Sequence, residues 1–201
     1  GFVPGRSCTS QLLKVMDDWT RYLDKGTPVD AIYLDFQKAF DSVAHKRLIV
    51  TLEALGIRGQ LLKWIEAFLA GRKQRVVLEG VASDWVQVTS GVPQGSVLGP
   101  TLFLAAIHSI PEEVRSDVAI YADDTKVYRQ VSSLRDAEAL QVDLNALNEW
   151  TEKWQLPLNT AKCKVMHLGA TNQELTYKMG SQELTVTSEE RDLGLLVDSS
   201  L

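Results

Sequence analysis

The chain has 201 residues, of which 45% are hydrophobic and 23% charged, and its formal net charge is −5 with a pI near 5.3. This composition excludes a disordered chain. The negative net charge argues against binding of nucleic acid by the overall charge of the chain. Two cysteines, Cys8 and Cys163, give no disulfide framework, and no apolar run reaches membrane-spanning length.

The first half of the sequence predicts helices interleaved with strands. Residues 1–8 are expected to form an extended loop, and apolar residues at helical spacing predict a helix over 10–24. A β-rich run predicts a strand over 29–36. Two amphipathic helices and then two strands around a glycine turn are predicted over 47–56, 59–70, 75–79 and 85–89.

The second half predicts a buried helix over 101–107, a hairpin, and the longest amphipathic helix of the chain over 134–154. The hairpin strands and four later short strands are predicted over 118–121, 126–129, 164–168, 174–178, 183–187 and 193–197. This order indicates an α+β fold in which an antiparallel sheet carries helices on one face. The five tryptophans are expected in the core.

Three acids stand at the ends of two strand-like runs. Asp35 follows the first run, while Asp123 and Asp124 follow the second in the tetrapeptide Tyr-Ala-Asp-Asp. Each acid alone also fits a turn or a strand-end cap. Hard divalent cations take oxygen ligands, and two such ions can clamp the attacking and leaving oxygens of a phosphoryl displacement. Together with the glycine-rich segment 90–96, the three acids favour that chemistry.

At this point the residues resemble a known family. Three segments, in this order, are similar to motifs A, B and C of a reverse transcriptase palm: 35–41, 91–95 and 121–124. Three others resemble the fingers segment upstream of the palm, motif D and the strand leading to the primer grip: 1–7, 158–162 and 192–197. The amino-acid sequences of these motifs are most similar to those of non-LTR retrotransposons, in particular CR1/jockey-like LINE elements.

The resemblance implies a polymerase palm, with its antiparallel sheet packed on helices, plus part of the fingers. It implies a fingers segment over 1–28, a palm with motifs A to D over 29–170, and the start of the motif E or primer-grip region over 171–201. Because both ends of the sequence look cut, we expect a piece of a longer protein without the thumb and the upstream fingers.

The resemblance also implies a metal site. Asp35 and Asp123 would be ligands shared by two Mg²⁺ ions, with Mn²⁺ as the alternative, and Asp124 would be the supporting acid. The backbone oxygen of Phe36 would be a further ligand. Lys162 would protonate the leaving pyrophosphate or neutralise its charge. Lys164 is close enough in sequence to take this role instead. Lys162 fits equally well as a solvated surface lysine.

Other matching positions imply contacts with the nucleotide. Phe40 would stack under the sugar and exclude a 2′-hydroxyl, although a core phenylalanine also fits. Gln94 and Gly95 would lie against the incoming nucleotide and the template base, although an ordinary turn also fits. Tyr121 would touch the primer terminus, or is a buried strand aromatic. Arg6 would bind the triphosphate.

A basic cluster follows the second amphipathic helix. Arg72, Lys73 and Arg75 are predicted to contact template or primer phosphates, and a solvated basic edge fits as well.

The function implied is an RNA-directed DNA polymerase that adds dNTPs to a primer 3′-hydroxyl on an RNA template. The expected partners are an RNA template, a DNA primer or target DNA, and dNTPs, with no membrane and with the oligomeric state open. The family implies action in the cytoplasm and nucleus. The alternatives are an inactive truncated or domesticated remnant, a viral-type RNA polymerase, which Phe40 and the alanine of Tyr-Ala-Asp-Asp disfavour, and a group II intron maturase.

Overall fold

The computed structural model describes residues 2–201, so Gly1 of the predicted fingers segment lies outside the described residues. The chain divides into two compact units. The first comprises the residues up to Gln37, Ser109–Lys153 and Pro157–Leu201, and the second comprises Lys38–His108 and Trp154–Leu156. Each unit is described by itself.

Six helices follow one another along the chain: α1 Cys8–Leu23, α2 Ala39–Ser42, α3 His45–Ala54, α4 Gly59–Leu69, α5 Leu98–Ile107 and α6 Leu134–Trp154. The strands are β1 Val29–Leu34, β2 Lys73–Gln74, β3 Val77–Leu78, β4 Val81–Ala82, β5 Val86–Gln87, β6 Asp117–Tyr121, β7 Asp124–Gln130, β8 Lys164–Leu168, β9 Lys178–Met179, β10 Gln182–Glu183, β11 Thr185–Val186, β12 Glu189–Asp192 and β13 Leu195–Asp198. A 3₁₀ turn lies at Ile110–Glu112.

A five-stranded sheet in the order β11-β8-β1-β7-β6 forms the centre of the first unit. The central strand β1 pairs antiparallel with β7 and β8, and β6 pairs antiparallel with β7. The outer strand β11 pairs parallel with β8, so the prediction of a purely antiparallel sheet is wrong for this pair. The α+β class itself is confirmed.

One face of this sheet is covered by α1. Val15 and Trp19 of α1 belong to one buried cluster with Ala31, Tyr128 and Met166 of the three central strands. Val29 of β1 and Leu168 of β8, each two residues from a member already named, belong to the same cluster, because every second residue of a strand points to the same face. Hydrophobic burial on this face fixes the register of the strands, since a slip by one residue would turn each buried side chain outwards.

The second unit is built around three helices. Its buried side chains come from α3, α4 and α5, and include Leu48, Leu52, Leu69, Phe103 and Ile107. Beyond α4, residues 73–87 form two short ladders, β2 with β5 and β3 with β4, and every residue in this stretch is exposed.

Several predicted elements end in different places from those expected. The strand predicted over 29–36 ends at Leu34, because the next residues leave the sheet edge and pair with another segment. Gln37 N–H donates to the Pro157 carbonyl at 2.8 Å, and Asn159 N–H donates to the Asp35 carbonyl at 2.7 Å. The two strands predicted over 75–79 and 85–89 are four strands of two residues each.

The predicted strand over 174–178 is wrong. The chain has no regular structure from Asn172 to Tyr177, and two side chains of this segment bond to a buried acid. The Tyr177 hydroxyl and the Asn172 amide both donate to the carboxylate of Asp30, which also contacts His167 Nδ1.

The expectation that all tryptophans are core residues is wrong for two of them. Trp19 and Trp150 are buried, but Trp64 is 54% exposed and Trp85 is 58% exposed. Trp64 stacks on Phe68 of its own helix, and Trp85 lies under the guanidinium of Arg75 at 4.6 Å. No helix within residues 2–201 has the length and apolarity needed to cross a membrane.

Candidate active site

The turn between β6 and β7 holds two of the three acids predicted as metal ligands. Tyr121 pairs with Asp124 at the end of the ladder, which leaves Ala122 and Asp123 as the two central residues of the turn. Ala122 has a φ of +57°. Positive φ at the first central residue is a property of the turns that suit the twist of a hairpin. Asp123 is therefore held at the tip of the hairpin, exposed to solvent.

Strand pairing brings the third acid to the same place. Leu34 and Thr125 form the last pair of the β1–β7 ladder, so Asp35 and Asp124 are the residues adjacent to that pair. The two strand ends singled out from sequence are thus neighbours at one edge of the sheet.

The backbone around Asp35 is fixed on both sides. Its N–H donates to the buried Cys163 thiol at 3.5 Å, and its carbonyl accepts from Asn159 at 2.7 Å. Phe36 is buried and forms a bridge with Leu158, but the backbone bonds flanking that bridge are made by the residues on either side of Phe36. The predicted ligand atom, the Phe36 carbonyl oxygen, is not used by those bonds.

Charge repulsion accumulates at this edge. The pKa of Asp124 is raised above its ordinary value, first by burial and then by the negative charges of Asp123, Asp192 and Asp35, while Lys126 opposes the shift. A cation placed among these carboxylates would relieve the repulsion, which makes the donor set suitable for a hard divalent ion.

No three acidic, histidine or cysteine side chains in the described part of the chain form a ligand group sufficient for a metal on their own. Mg²⁺ is usually held by one or two carboxylates, with substrate phosphates and water as the remaining ligands.

Two lysines compete for the predicted role near the leaving group. Lys162 Nζ lies 3.9 Å from Asp35 Oδ2, and its side chain is exposed. Lys164 Nζ instead forms an ion pair of 2.7 Å with Glu190. The structure therefore places Lys162 beside a candidate metal ligand, whereas Lys164 is paired with an acid of the β12–β13 hairpin.

Sequence reasoning missed a buried ion pair close to the acids. Lys126, two residues beyond Asp124 on the same face of β7, pairs with Asp192 of β12, and only 4% and 2% of their side chains are exposed. The Lys126 ammonium also lies 5.6 Å from the centre of the Tyr33 ring. Lys126 follows Asp124 by two residues, so the sequence alone predicts that both side chains lie on the same face of a strand. Nothing local in the sequence indicates that Asp192 is the partner of Lys126.

The positive φ of Ala122 leads to a stability prediction. An L-residue in this region is strained by about 1–2 kcal/mol, and glycine is not, although glycine loses more entropy on folding. We expect Ala122→Gly to raise the free energy of unfolding by about 0.5–1 kcal/mol in urea denaturation. As a matched control, Ala119→Gly in the same hairpin, where the backbone is extended, should lower it by about 1 kcal/mol. An equal loss in both variants would refute the turn geometry.

The predicted nucleotide contacts lie in the second unit. Phe40 stacks on Phe103 with ring centres 4.6 Å apart. Gln94 is exposed and its amide donates to Asp41 at 3.3 Å. Gly95 has a φ of +82° and open space around the position of a side chain, which leaves room for a ligand to approach.

The remaining predicted contacts differ in their surroundings. Arg6 is exposed and Tyr121 is partly exposed, where a hydrogen bond with the Cys8 side chain raises the tyrosine pKa. Lys73 and Arg75 are exposed, whereas Arg72 is partly buried and burial lowers its pKa. The first unit brings together the predicted catalytic residues Asp35, Asp123, Asp124 and Lys162. The predicted nucleotide contacts of motif B and the predicted phosphate contacts of the basic cluster lie in the second unit.

The sequence of this chain is similar to sequences of known reverse transcriptases. The profile of the family described as "Reverse transcriptase (RNA-dependent DNA polymerase)" matches residues 1–190. The RNA-directed DNA polymerase from mobile element jockey of Drosophila funebris is 33% identical over the whole chain, which spans 23% of that relative. A probable RNA-directed DNA polymerase from transposon X-element of Drosophila melanogaster is 29% identical over 81% of the chain and 18% of the relative.

A solved structure shares the fold. Apo telomerase from Candida tropicalis, truncated from its C-terminal domain, matches 96% of this chain and 40% of its own chain with a TM-score of 0.62 at 13% sequence identity.

The sequence relatives confirm the predicted resemblance to jockey-like elements. The chain spans less than a quarter of the length of the jockey relative.

Proposed function

The chain belongs to the reverse transcriptase family, and from this premise we propose that it is the palm, with part of the fingers, of an RNA-directed DNA polymerase of a non-LTR retrotransposon. The observation that carries the proposal is the pairing of β1 with β7, which brings Asp35 to the same end of the sheet as Asp124 and the tip residue Asp123. Two catalytic divalent ions need such a group of carboxylates at one exposed edge.

We assign the metal ligands as the sequence implies. Asp35 and Asp123 would hold both divalent ions, Asp124 would support them, and the Phe36 carbonyl would be a further ligand. When bound, the ions supply Lewis-acid activation of the primer 3′-hydroxyl and neutralise charge on the pyrophosphate. Asp35 is suited to this because its backbone is anchored while its carboxylate is partly exposed.

The other residues orient the substrates. Lys162, beside Asp35, donates a proton to the leaving pyrophosphate or offsets its charge. Gln94 and Gly95 face the nucleotide and the template base, Tyr121 faces the primer terminus, and Arg6 binds the triphosphate. Lys73 and Arg75 contact phosphates of the template or primer, where their exposure leaves them accessible. The partners proposed are an RNA template, a DNA primer or target DNA, and dNTPs, in the cytoplasm and nucleus.

The test is primer extension on an RNA template with dNTPs and Mg²⁺, using the 201-residue chain and the intact protein that contains it. Templated incorporation by either supports the proposal. If only the intact protein extends the primer, the chain is a palm that needs its neighbouring segments to hold primer and template. If neither does so while both are folded, the remnant interpretation replaces the proposal.

Phe40 provides a prediction about the sugar. We expect Phe40→Val to increase incorporation of ribonucleotides relative to deoxyribonucleotides by about 10–100-fold, because the smaller side chain leaves room for the 2′-hydroxyl. The measurement is kcat/KM for a matched NTP and dNTP.

Phe103→Leu is the matched control for Phe40→Val, since it removes the ring that stacks on Phe40 but keeps Phe40 itself. Unchanged discrimination in Phe40→Val, or an equal change in Phe103→Leu, would show that Phe40 acts only as a packing residue.

A further inference from the structure

The carbonyl of Gly91, at the start of the motif B segment, accepts two hydrogen bonds from side chains distant in sequence. Arg72 Nη2 donates to it at 2.6 Å, and His45 Nε2 lies 2.8 Å from the same oxygen. His45 Nε2 also lies 3.3 Å from Arg72 Nη2, and it donates to the carbonyl in the form of the imidazole that carries a proton on Nε2. The Arg72 guanidinium is held in turn by Nε, which donates to the Leu69 carbonyl at 3.1 Å.

The same segment is also held through its backbone N–H groups. Gly91 N–H donates to the Val43 carbonyl and Val92 N–H donates to the Phe40 carbonyl, both at 2.8 Å. A Cβ at Gly91 would lie 2.6 Å from the Asp41 Cα, so the two backbones are in direct contact and no other residue fits. The start of the motif B segment is therefore fixed against residues 40–43 by its N–H groups and by direct backbone contact.

We propose that Arg72 and His45 form a carbonyl clamp that positions the motif B segment, residues 91–95, and through it the side chain of Gln94. Arg72 is thus a positioning residue and not a phosphate contact. This inference rests on the proposed function, because it is the nucleotide contacts of Phe40 and Gln94 that the clamp holds in place.

The neighbouring basic residues show why Arg72 differs from them. Lys73 and Arg75 are fully exposed, and the Arg75 guanidinium lies over the ring of Trp85. Arg72 alone is partly buried, and two of its three nitrogens already donate to backbone carbonyls at normal distances. A planar guanidinium can make both bonds at once, whereas a lysine ammonium at this position could not reproduce the fork.

The variants that test the clamp are Arg72→Gln, Arg72→Lys and the matched control Lys73→Gln. Lys73→Gln removes the same charge one residue away without touching Gly91. Arg72→Lys keeps the charge but loses the fork, and it serves as the second variant if Arg72→Gln does not fold.

The first readout is hydrogen exchange, which needs no activity. We expect the protection of the Gly91 and Val92 amides to fall about tenfold or more in both Arg72 variants. Protection at Val127, in the sheet of the other unit, should stay unchanged, and Lys73→Gln should alter none of the three amides. Unchanged protection at Gly91 and Val92 in the Arg72 variants would overturn the clamp.

The second readout is the salt dependence of primer–template binding by the intact protein. A lost phosphate contact lowers the slope of log K against log salt by about 0.7–0.9, which we expect for Lys73→Gln and not for Arg72→Gln. A similar fall in Arg72→Gln would make Arg72 a phosphate contact and overturn the clamp.

The third readout is steady-state kinetics of the intact protein. The KM for dNTP should rise in Arg72→Gln and Arg72→Lys while the Kd for primer–template is unchanged. An unchanged KM in both variants, with measurable turnover, would overturn the functional part of the inference. If no variant and no wild-type protein incorporates nucleotide, the proposed function fails, but hydrogen exchange still decides whether the clamp exists.

Discussion

Asp123→Asn is expected to abolish nucleotide incorporation, with a fall of about 10³-fold or more, and to leave the chain folded. Asp123 is exposed at the tip of the β6–β7 hairpin, so its carboxylate contributes little to packing. Asparagine has the same shape and is accepted in turns as readily as aspartate. The substitution therefore removes a negative charge from the proposed metal site and little else.

The measurement is single-turnover primer extension on an RNA template, with thermal unfolding as the check on folding. Asp117→Asn is the matched control, because Asp117 is an exposed acid at the opposite end of the same hairpin. We expect Asp117→Asn to retain the wild-type rate. A rate in Asp123→Asn that stays close to wild type would remove Asp123 from the metal site.

Lys126→Met is expected to cost about 3–5 kcal/mol of folding free energy, because it leaves the Asp192 carboxylate buried without its partner. Domains of this kind are stable by only about 5–15 kcal/mol, so this would be a large share of the total. Urea denaturation of the 201-residue chain measures the loss.

The double variant Lys126→Met with Asp192→Leu should recover most of this loss, since a buried ion pair can be replaced by apolar side chains of similar size at little cost. Lys164→Met is the matched control. Its ion pair with Glu190 docks the same β-hairpin but is more exposed, at 38% and 21%, and should cost about 1 kcal/mol or less. Equal stability of Lys126→Met and the wild type would contradict the buried pair.

The elements with strong local signals were predictable from the sequence. Helix α6 spans Leu134–Trp154 and strand β8 spans Lys164–Leu168, at the bounds that their apolar spacing predicts. The three acids were also identifiable, since each follows an apolar run. The pairing that brings Asp35 to the same end of the sheet as Asp124 was not, because it depends on which of several strands pair.

Other features depend on contacts between residues far apart in the chain. Lys126 and Asp192 are separated by 66 positions, and no periodicity links them. Asp30 binds Tyr177 across 147 positions, which is why a β-rich run near Tyr177 is irregular. Composition assigned Arg72 to a basic cluster with Lys73, although its position at the end of α4 turns its guanidinium to backbone carbonyls.

The most direct test of the metal site counts the ions. Electron paramagnetic resonance can measure Mn²⁺ bound to the intact protein with a dideoxy-terminated primer, an RNA template and the matching dNTP, a complex that cannot turn over. We predict about two Mn²⁺ ions per wild-type complex and fewer in Asp123→Asn, with primer–template still bound. Two ions in both proteins would contradict the assignment of Asp123, and none in the wild type would contradict the two-ion site itself.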